Sequence, residues 1–277
     1  MSVSLYHREY GAGSPVVILH GLLGNAGNWQ RQARALAAEH RVFTLDLRNH
    51  GRSPHAPSMD LSALAADVRE FMDAQGLESA ALVGHSLGGK VAMTLALETP
   101  ARVSRLAVVD IAPTTYTSNS LAAIVTALQG LDTEAIADLK DADARLAEQL
   151  PDAAVRAFLL TNLKAVPSGY AWRVNLDGIA AAVPEIRGWP AALAAAAYAG
   201  PTLFVAGARS DYIRATHYAR IRQQFPAAML VQVLGAGHWV HAEKSESFLA
   251  ALQPFLAGND VPVHEGLAHV PLTEEDV

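Results

Sequence analysis

The sequence predicts an α/β fold in which helices flank a mostly parallel central sheet. Short apolar runs alternate with helical stretches through the first 113 residues, and the alternation resumes after residue 198. Continuous apolar strands separated by helices are typical of a parallel sheet covered on both faces. Apolar residues make up 51% of the chain and charged residues only 17%, which favours a packed core over a disordered chain.

The apolar runs define the predicted strands, and the periodic stretches between them define the predicted helices. We expect strands at 16–19, 42–45, 80–83, 106–109, 202–205 and 229–234. We expect helices at 25–38, 60–75, 87–98, 215–225 and 243–256. Asp60 stands where an N-cap residue would start the second of these helices.

Residues 114–198 interrupt this alternation and contain no convincing strand. Helical character recurs at 121–130, 133–140, 142–150, 152–165 and in the Ala-rich stretch 191–199. We therefore expect residues 114–198 to form a helical cap on a core built from 1–113 and 199–257. Residues 258–277 have two prolines, several acidic residues and no period, so we expect a poorly ordered tail.

Charge and cysteine content exclude several classes of function. The net charge is −6 and the basic residues are dispersed, which argues against nucleic acid as a partner. The absence of cysteine excludes disulfides and thiolate chemistry, and it fits a cytoplasmic location. No apolar run reaches the length of about 18 residues that suggests a membrane span, and the N-terminus does not resemble a signal peptide.

The strongest chemical signal is the segment Gly84-His85-Ser86-Leu87-Gly88, which lies between a predicted strand and a predicted helix. A G-x-S-x-G sequence in this context is typical of a nucleophile elbow, a sharp turn that raises the serine hydroxyl above the sheet. The glycines are needed because neighbouring backbone crowds the turn. The pattern predicts Ser86 as a nucleophile.

A second strand ends in His20-Gly21-Leu22-Leu23-Gly24. A turn of this kind supplies one backbone N–H of the oxyanion hole, and the residue after the serine supplies the other. We therefore expect the main-chain N–H groups of Leu22 and Leu87 to bind the oxyanion. His20 is expected to be a structural hydrogen-bonding residue.

His238 is the predicted general base. It lies between the last strand and the last helix of the core, after Gly235-Ala236-Gly237, and a loop with glycines can approach the elbow closely. His85 and His241 are the competing histidines. His50, His55 and His217 lack the spacing of metal ligands, so we expect them at the surface and expect no metal.

Three aspartates are candidates for the acid that orients His238. Asp110 ends the strand after the elbow helix, Asp211 lies in the turn after the strand at 202–205, and Asp177 lies in the cap. The turn that usually carries the acid has Ser210 one residue before Asp211, and that offset can direct Asp211 away. The sequence therefore favours Asp110 and leaves Asp211 and Asp177 open.

These motifs, together with those at 46–53, 109–113 and 237–244, resemble the α/β-hydrolase superfamily. Within it they resemble the YbfF-type bacterial esterases and the abhydrolase domain-containing 11 proteins, over about residues 5–256. The resemblance implies an α/β-hydrolase fold with the helical cap inserted after the sixth strand. It also implies Asp110 as the acid, and Ser210 as an added serine that contacts the histidine. Some relatives place the acid on the segment that includes Asp177.

The resemblance implies a serine carboxylesterase that acts on short- to medium-chain acyl esters, with acyl thioesters as a further candidate. The substrate is then a small molecule, no cofactor is needed, and the chain is a monomer or homodimer. Two alternatives stay open: a C–C bond hydrolase or cofactor-free haloperoxidase on the same fold, and a non-catalytic binding protein.

The cap is expected to select the substrate. Its apolar residues are expected mainly to pack, and a lid of this composition favours apolar acyl groups. Aromatic residues with polar tips suit a half-wet pocket wall, and the candidates are Tyr116, Trp172, Trp189 and Tyr212.

Overall fold

The computed structural model describes residues 2–273 and is built around one large sheet. The strands are β1 His7–Tyr10, β2 Ser14–Leu19, β3 His40–Leu45, β4 Ala80–His85, β5 Val103–Val109, β6 Leu163–Val166, β7 Gly169–Trp172, β8 Thr202–Gly207, β9 Ala228–Val233 and β10 Leu267–Val270. The large sheet has the order β1-β3-β2-β4-β5-β8-β9-β10. Its six inner strands are parallel, whereas β1 and β10 are antiparallel edge strands.

Helices cover both faces of this sheet, and others lie in the segment 114–198 between β5 and β8. They are α1 Gln30–Leu36, α2 Leu61–Ala74, α3 Leu87–Glu98, α4 Ser120–Gln129, α5 Leu139–Leu146, α6 Ala153–Leu160, α7 Leu176–Arg187, α8 Tyr218–Gln224, α9 Val240–Glu243 and α10 Ser245–Ala257. Asp60 caps α2 as predicted, because its carboxylate accepts a hydrogen bond from the Ala63 N–H at 2.8 Å. The inner strands are buried on both faces, as the continuous apolar runs predicted.

Side chains along β2 alternate between two apolar layers because successive strand residues point to opposite faces. Val17 and Leu19 pack with the layer that includes α2, α3 and α8. Val16 and Ile18 pack with the layer that includes α1 and α10. The core therefore lies on both sides of the sheet.

The segment 114–198 leaves the sheet after β5 and returns at β8, and it contains α4 to α7. The insertion follows the fifth strand of the chain and not the sixth, because a single strand, β1, precedes the parallel strands. The helix expected at 133–140 is wrong for 133–138, and 191–199 forms only a short 3-10 turn, Ala191–Leu193.

The expectation that 114–198 lacks strands is also wrong. β6 and β7 form an antiparallel hairpin in which Leu163 pairs with Trp172. Gly169 has a φ of +123°, which a glycine adopts without strain, and it follows the turn at Pro167 and Ser168. Strands of four residues are too short for their alternation to stand out from helical patterning.

We expected residues 258–277 to be poorly ordered, and this is wrong for the part that forms β10. Leu267 to Val270 pair antiparallel with β9, so this segment completes the edge of the sheet. Residues 274–277 lie outside the described part of the chain. Within residues 2–273, no helix combines the length and apolar character required to cross a membrane.

Candidate active site

Ser86 occupies a strained turn between β4 and α3. Its φ is +51°, in a region that non-glycine residues rarely adopt. A Cβ at Gly84 would overlap the carbonyl of Gly88, and a Cβ at Gly88 would overlap the carbonyl of Leu19. Glycine is therefore required on both sides of the serine, as expected for a nucleophile elbow.

Asp110 directly follows β5 and is fully buried. Its Oδ1 accepts a hydrogen bond from the Gly207 N–H at 3.0 Å. Its Oδ2 accepts one from Nδ1 of His238 at 2.7 Å and one from the Ser210 hydroxyl. The contact that the structure gives Ser210 is therefore to the acid, whereas the resemblance implied a contact to the histidine.

The imidazole of His238 is held on several sides. The ring of Tyr212 stacks on it, with centroids 4.1 Å apart and an interplanar angle of 22°. The main-chain carbonyl of His238 accepts a hydrogen bond from Nε2 of His85 at 2.9 Å. Because Nδ1 of His238 donates to Asp110, its Nε2 is left as the proton acceptor that a general base requires.

The structure does not bring the other two candidate acids to His238. The side chain of Asp211 is 85% exposed and pairs with Arg214 at 3.2 Å. Asp177 is exposed on α7, where its carboxylate accepts a hydrogen bond from Gln129 at 2.7 Å. The one-residue offset noted in the sequence therefore does direct Asp211 away from the histidine.

The candidate oxyanion donors lie beside Ser86. Leu87 is the first residue of α3, where main-chain N–H groups lack partners within the helix. A Cβ on Gly21 would lie 3.3 Å from Cβ of Ser86, which places the turn that carries Leu22 against the serine. The roles of both N–H groups stay predictions.

The remaining histidines near the site are buried. Nδ1 of His20 donates to the Gly21 carbonyl at 2.7 Å, and burial lowers the pKa of His20 to about 4. Burial also lowers the pKa of His241 to about 3, and its ring stacks on Trp29 at 4.0 Å. The pKa of His85 is well below its usual value, again because of burial.

The surface position expected for His50 is wrong. The residue is fully buried, with Nε2 accepting from the Leu23 N–H at 3.0 Å and Nδ1 donating to the Arg48 carbonyl at 2.9 Å. These two bonds make a buried imidazole possible, and burial lowers its pKa to about 3. His55 is exposed as expected, and His217 is half-buried. Among residues 2–273, no cluster of three His, Asp or Glu side chains could hold a metal ion.

Two cavities meet at Ser86. We call the first the histidine-side cavity, because His238 lines it together with apolar residues; those from the cap are Leu121, Ile124, Val155, Phe158 and Leu159. We call the second the lysine-side cavity, because Lys90 lines it with Tyr116, Ile186, Arg187 and Arg214. Leu22 and Tyr212 line both cavities. Core packing was the main role expected for the apolar cap residues. The structure also places four of them in the wall of the histidine-side cavity: Leu121, Ile124, Phe158 and Leu159.

Of the four aromatic residues predicted to line the pocket, Tyr116 and Tyr212 line these cavities. Trp189 instead lines a separate surface pocket with Asp60 and Pro184. Trp172 lies on β7, within the cap hairpin. Aromatic character alone could not separate these pairs, because it does not report which side chains turn toward Ser86.

Sequence reasoning gave no role to Lys90. The residue is only 2% exposed and lies on α3, one turn after Ser86. Burial lowers the pKa of its amine to about 7. The available signal was a charged residue among the apolar and small residues at the start of α3, between Leu87 and Met93.

Known proteins resemble the chain over most of its length. A family profile described as alpha/beta hydrolase fold matches residues 14–245. The sn-1-specific diacylglycerol lipase ABHD11 of Mus musculus is 41% identical over 249 residues, covering 87% of this chain and 80% of that protein. Esterase YbfF of Escherichia coli strain K12 is 35% identical over 243 residues, covering 88% and 93%. A solved marine microorganism esterase has a TM-score of 0.89 and 36% identity, covering 92% of this chain and 100% of that one.

The chain belongs to the α/β-hydrolase family. The predicted fold class and the resemblance to YbfF-type esterases and abhydrolase domain-containing 11 proteins are confirmed. Relatives named esterase and lipase also confirm the prediction of an enzyme of the hydrolase class.

Proposed function

We propose that the protein hydrolyses carboxylic esters through a covalent acyl-enzyme on Ser86. His238 takes the serine proton as the hydroxyl attacks the ester carbonyl. The N–H groups of Leu22 and Leu87 hold the oxyanion, and each donor of this kind contributes about 2.7–4 kcal/mol to the barrier reduction. The alcohol leaves with the proton from His238, and water activated by the same imidazole then releases the acid.

The contact between Asp110 and Nδ1 of His238, at 2.7 Å, carries the proposal. A carboxylate in that position fixes the imidazole tautomer and stabilises the imidazolium that forms during catalysis. Ser86 and His238 also line the same cavity, so a bound ester can reach both groups. A purely structural histidine would not need a buried acid on one nitrogen and an accessible nitrogen on the other.

Within this class we propose short- to medium-chain acyl esters as substrates, with acyl thioesters as a further candidate. The apolar residues of the histidine-side cavity support a preference for uncharged substrates. The absence of cysteine from the sequence is consistent with a cytoplasmic location. We further propose that the chain works as a monomer or homodimer, which size-exclusion chromatography with light scattering would test.

Labelling with a fluorophosphonate probe, followed by peptide mapping, tests the nucleophile directly. We expect one adduct, on Ser86, which Ser86→Ala abolishes. Hydrolysis of p-nitrophenyl acetate by that variant should fall by on the order of 10⁶-fold in kcat. Ser104→Ala, at an exposed serine, is the matched control and should keep full activity. An unlabelled wild-type protein would favour the binding-protein alternative, whereas labelling without ester turnover would favour C–C bond hydrolysis or haloperoxidase chemistry.

A further inference from the structure

The two cavities at Ser86 are chemically different. His238 lies in the wall of the histidine-side cavity, whereas the described wall of the lysine-side cavity does not include it. The cavity volume on the lysine side is about 340 Å³, against about 130 Å³ on the histidine side. An ester that reacts at Ser86 must divide its two halves between these spaces.

The chemistry decides which half goes where, given the proposed function. In the tetrahedral intermediate, the leaving oxygen must receive a proton from His238. The alcohol half therefore extends into the cavity that His238 lines. The oxyanion occupies the space beside the N–H groups of Leu22 and Leu87. The acyl chain is the remaining substituent, and it therefore extends into the lysine-side cavity.

Lys90 joins the elbow helix to the cap. Its main-chain N–H donates to the Ser86 carbonyl at 3.1 Å. Its ammonium donates to the carbonyls of Ile186 at 3.2 Å, Arg187 at 2.7 Å and Gly188 at 2.7 Å. These carbonyls lie at the C-terminal end of α7, where helical carbonyls lack partners and a positive charge is favoured.

These contacts favour the protonated state of the Lys90 side chain. Three carbonyl acceptors match the three N–H donors of an ammonium, whereas a neutral amine would turn its lone pair toward a carbonyl oxygen. The ammonium, which these three carbonyls favour against the burial that lowers the pKa of Lys90 to about 7, has no lone pair for proton transfer with a substrate. Its position suits a structural clamp between core and cap, not a base.

The same ammonium organises the wall of the lysine-side cavity. It lies 5.1 Å from the ring centroid of Tyr116, a distance suited to a cation–π contact. The N–H of Tyr116 donates to the Arg187 carbonyl at 3.0 Å, and its hydroxyl donates to the Tyr212 carbonyl at 2.6 Å. Removal of the charge would loosen the end of α7, to which the main chain of Tyr116 is bonded, and would remove the cation–π contact of the tyrosine ring.

We propose that the lysine-side cavity receives the acyl chain of the ester, and that Lys90 is the positioning residue that fixes its cap wall. Lys90 thereby sets acyl-chain selectivity without taking part in bond making. The inference rests on the proposed ester hydrolysis and adds to it an orientation for the substrate.

Two series of esters test the orientation. One varies the acyl chain with p-nitrophenol constant, from acetate to octanoate, and the other varies the alcohol of acetate esters. We expect Lys90→Met to lower the ratio of kcat/KM for octanoate to that for acetate by about 10-fold or more, mainly through KM. Its alcohol series should keep the wild-type ratios within about 2-fold.

Phe158→Ala is the matched variant in the other cavity, where Phe158 lies 5.5 Å from the ring of Trp239. It should change the alcohol series and leave the acyl series unchanged. The reverse pattern would overturn the orientation. If the wild-type protein hydrolyses no ester in either series, the proposed ester hydrolysis is wrong. That outcome differs from an active enzyme whose two series show the reverse pattern.

Further variants separate positioning from loss of stability. Arg156→Met removes a buried cation inside the cap that donates to the carbonyls of Leu150 and Pro151, and it should lower stability without shifting acyl selectivity. Lys90→Arg keeps the charge and should restore part of the octanoate ratio. If Lys90→Met does not fold, Ile186→Ala tests the wall instead and should change only the acyl series. Equal effects of Lys90→Met or Ile186→Ala on both series would overturn the proposal.

Discussion

The core and the cap hold their parts of the candidate site by different means. In the core, Ser86 and Asp110 directly follow parallel strands, and both have a φ of +51°. The sheet therefore sets their positions through the backbone. The cap instead meets the core through apolar packing and scattered hydrogen bonds, such as those from Lys90 to the end of α7, from Asn162 to the Leu23 carbonyl at 2.6 Å, and from the Asn175 N–H to the Asn49 carbonyl at 2.9 Å. The groups proposed for catalysis are therefore held by the sheet backbone, whereas the cavity walls proposed to select the substrate depend on individual contacts between cap and core.

Among the tests of this comparison, the largest expected effect concerns the acid in the core. Asp110→Asn should lower kcat for p-nitrophenyl acetate by on the order of 10⁴-fold, because an amide in that position favours the wrong imidazole tautomer. Asp177→Asn in the cap and Asp211→Asn in the exposed turn should each retain wild-type kcat. A large loss in either of these, with Asp110→Asn active, would refute the assignment.

Acid should destabilise the core specifically. Burial holds the pKa values of His20, His50 and His241 at about 4, 3 and 3, below the ordinary value near 6.5. The unfolded chain therefore binds protons that the folded chain does not, so stability is present above about pH 6.5 and is lost as the pH falls. Each such histidine contributes about 1.4 kcal/mol per pH unit in that window.

Urea unfolding between about pH 7.5 and pH 5 measures this slope. His241→Phe should remove the contribution of one histidine, and His55→Gln, at an exposed position, should change nothing. Residues 114–198 contain no histidine, so the pH-dependent stability from buried histidines comes from the core alone. A slope that His241→Phe leaves unchanged would contradict the buried neutral state of that imidazole.

The smallest expected effect concerns the attachment of the cap. Asn175 donates to the side-chain carbonyl of Asn49 at 3.0 Å and accepts from the Gly178 N–H at 3.1 Å, which caps α7. Asn175→Ala should cost about 1 kcal/mol and lower Tm by about 2–4 °C, while kcat for the acetate ester stays unchanged. Asn259→Ala, beyond the end of α10, is the control. A drop in kcat would show that cap attachment also controls the chemistry.

The sequence was sufficient for the inner sheet and for the residues that the structure brings together around His238. Buried parallel strands are continuous apolar runs, and strand ends converge on one edge, so Ser86 and Asp110 could be located without coordinates. The Gly84 and Gly88 positions carry a steric requirement that is visible in the sequence.

The cap was less predictable for physical reasons. The four residues of β6 or β7 acquire strand character from their pairing with each other, which local propensity does not encode. The role of Lys90 depends on carbonyls nearly one hundred positions later in the chain, and main-chain carbonyls have no sequence signature. The division into core and cap at 113 and 199 stays our interpretation.

The antiparallel strand β10 has one more consequence. It occupies the outer hydrogen-bonding edge of β9, a strand that contains the exposed Met229 and is followed by the exposed Leu234. An uncovered sheet edge offers free N–H and C=O groups to a second molecule and promotes aggregation. Removal of the residues after α10 would therefore reduce solubility even though no residue proposed for catalysis is lost.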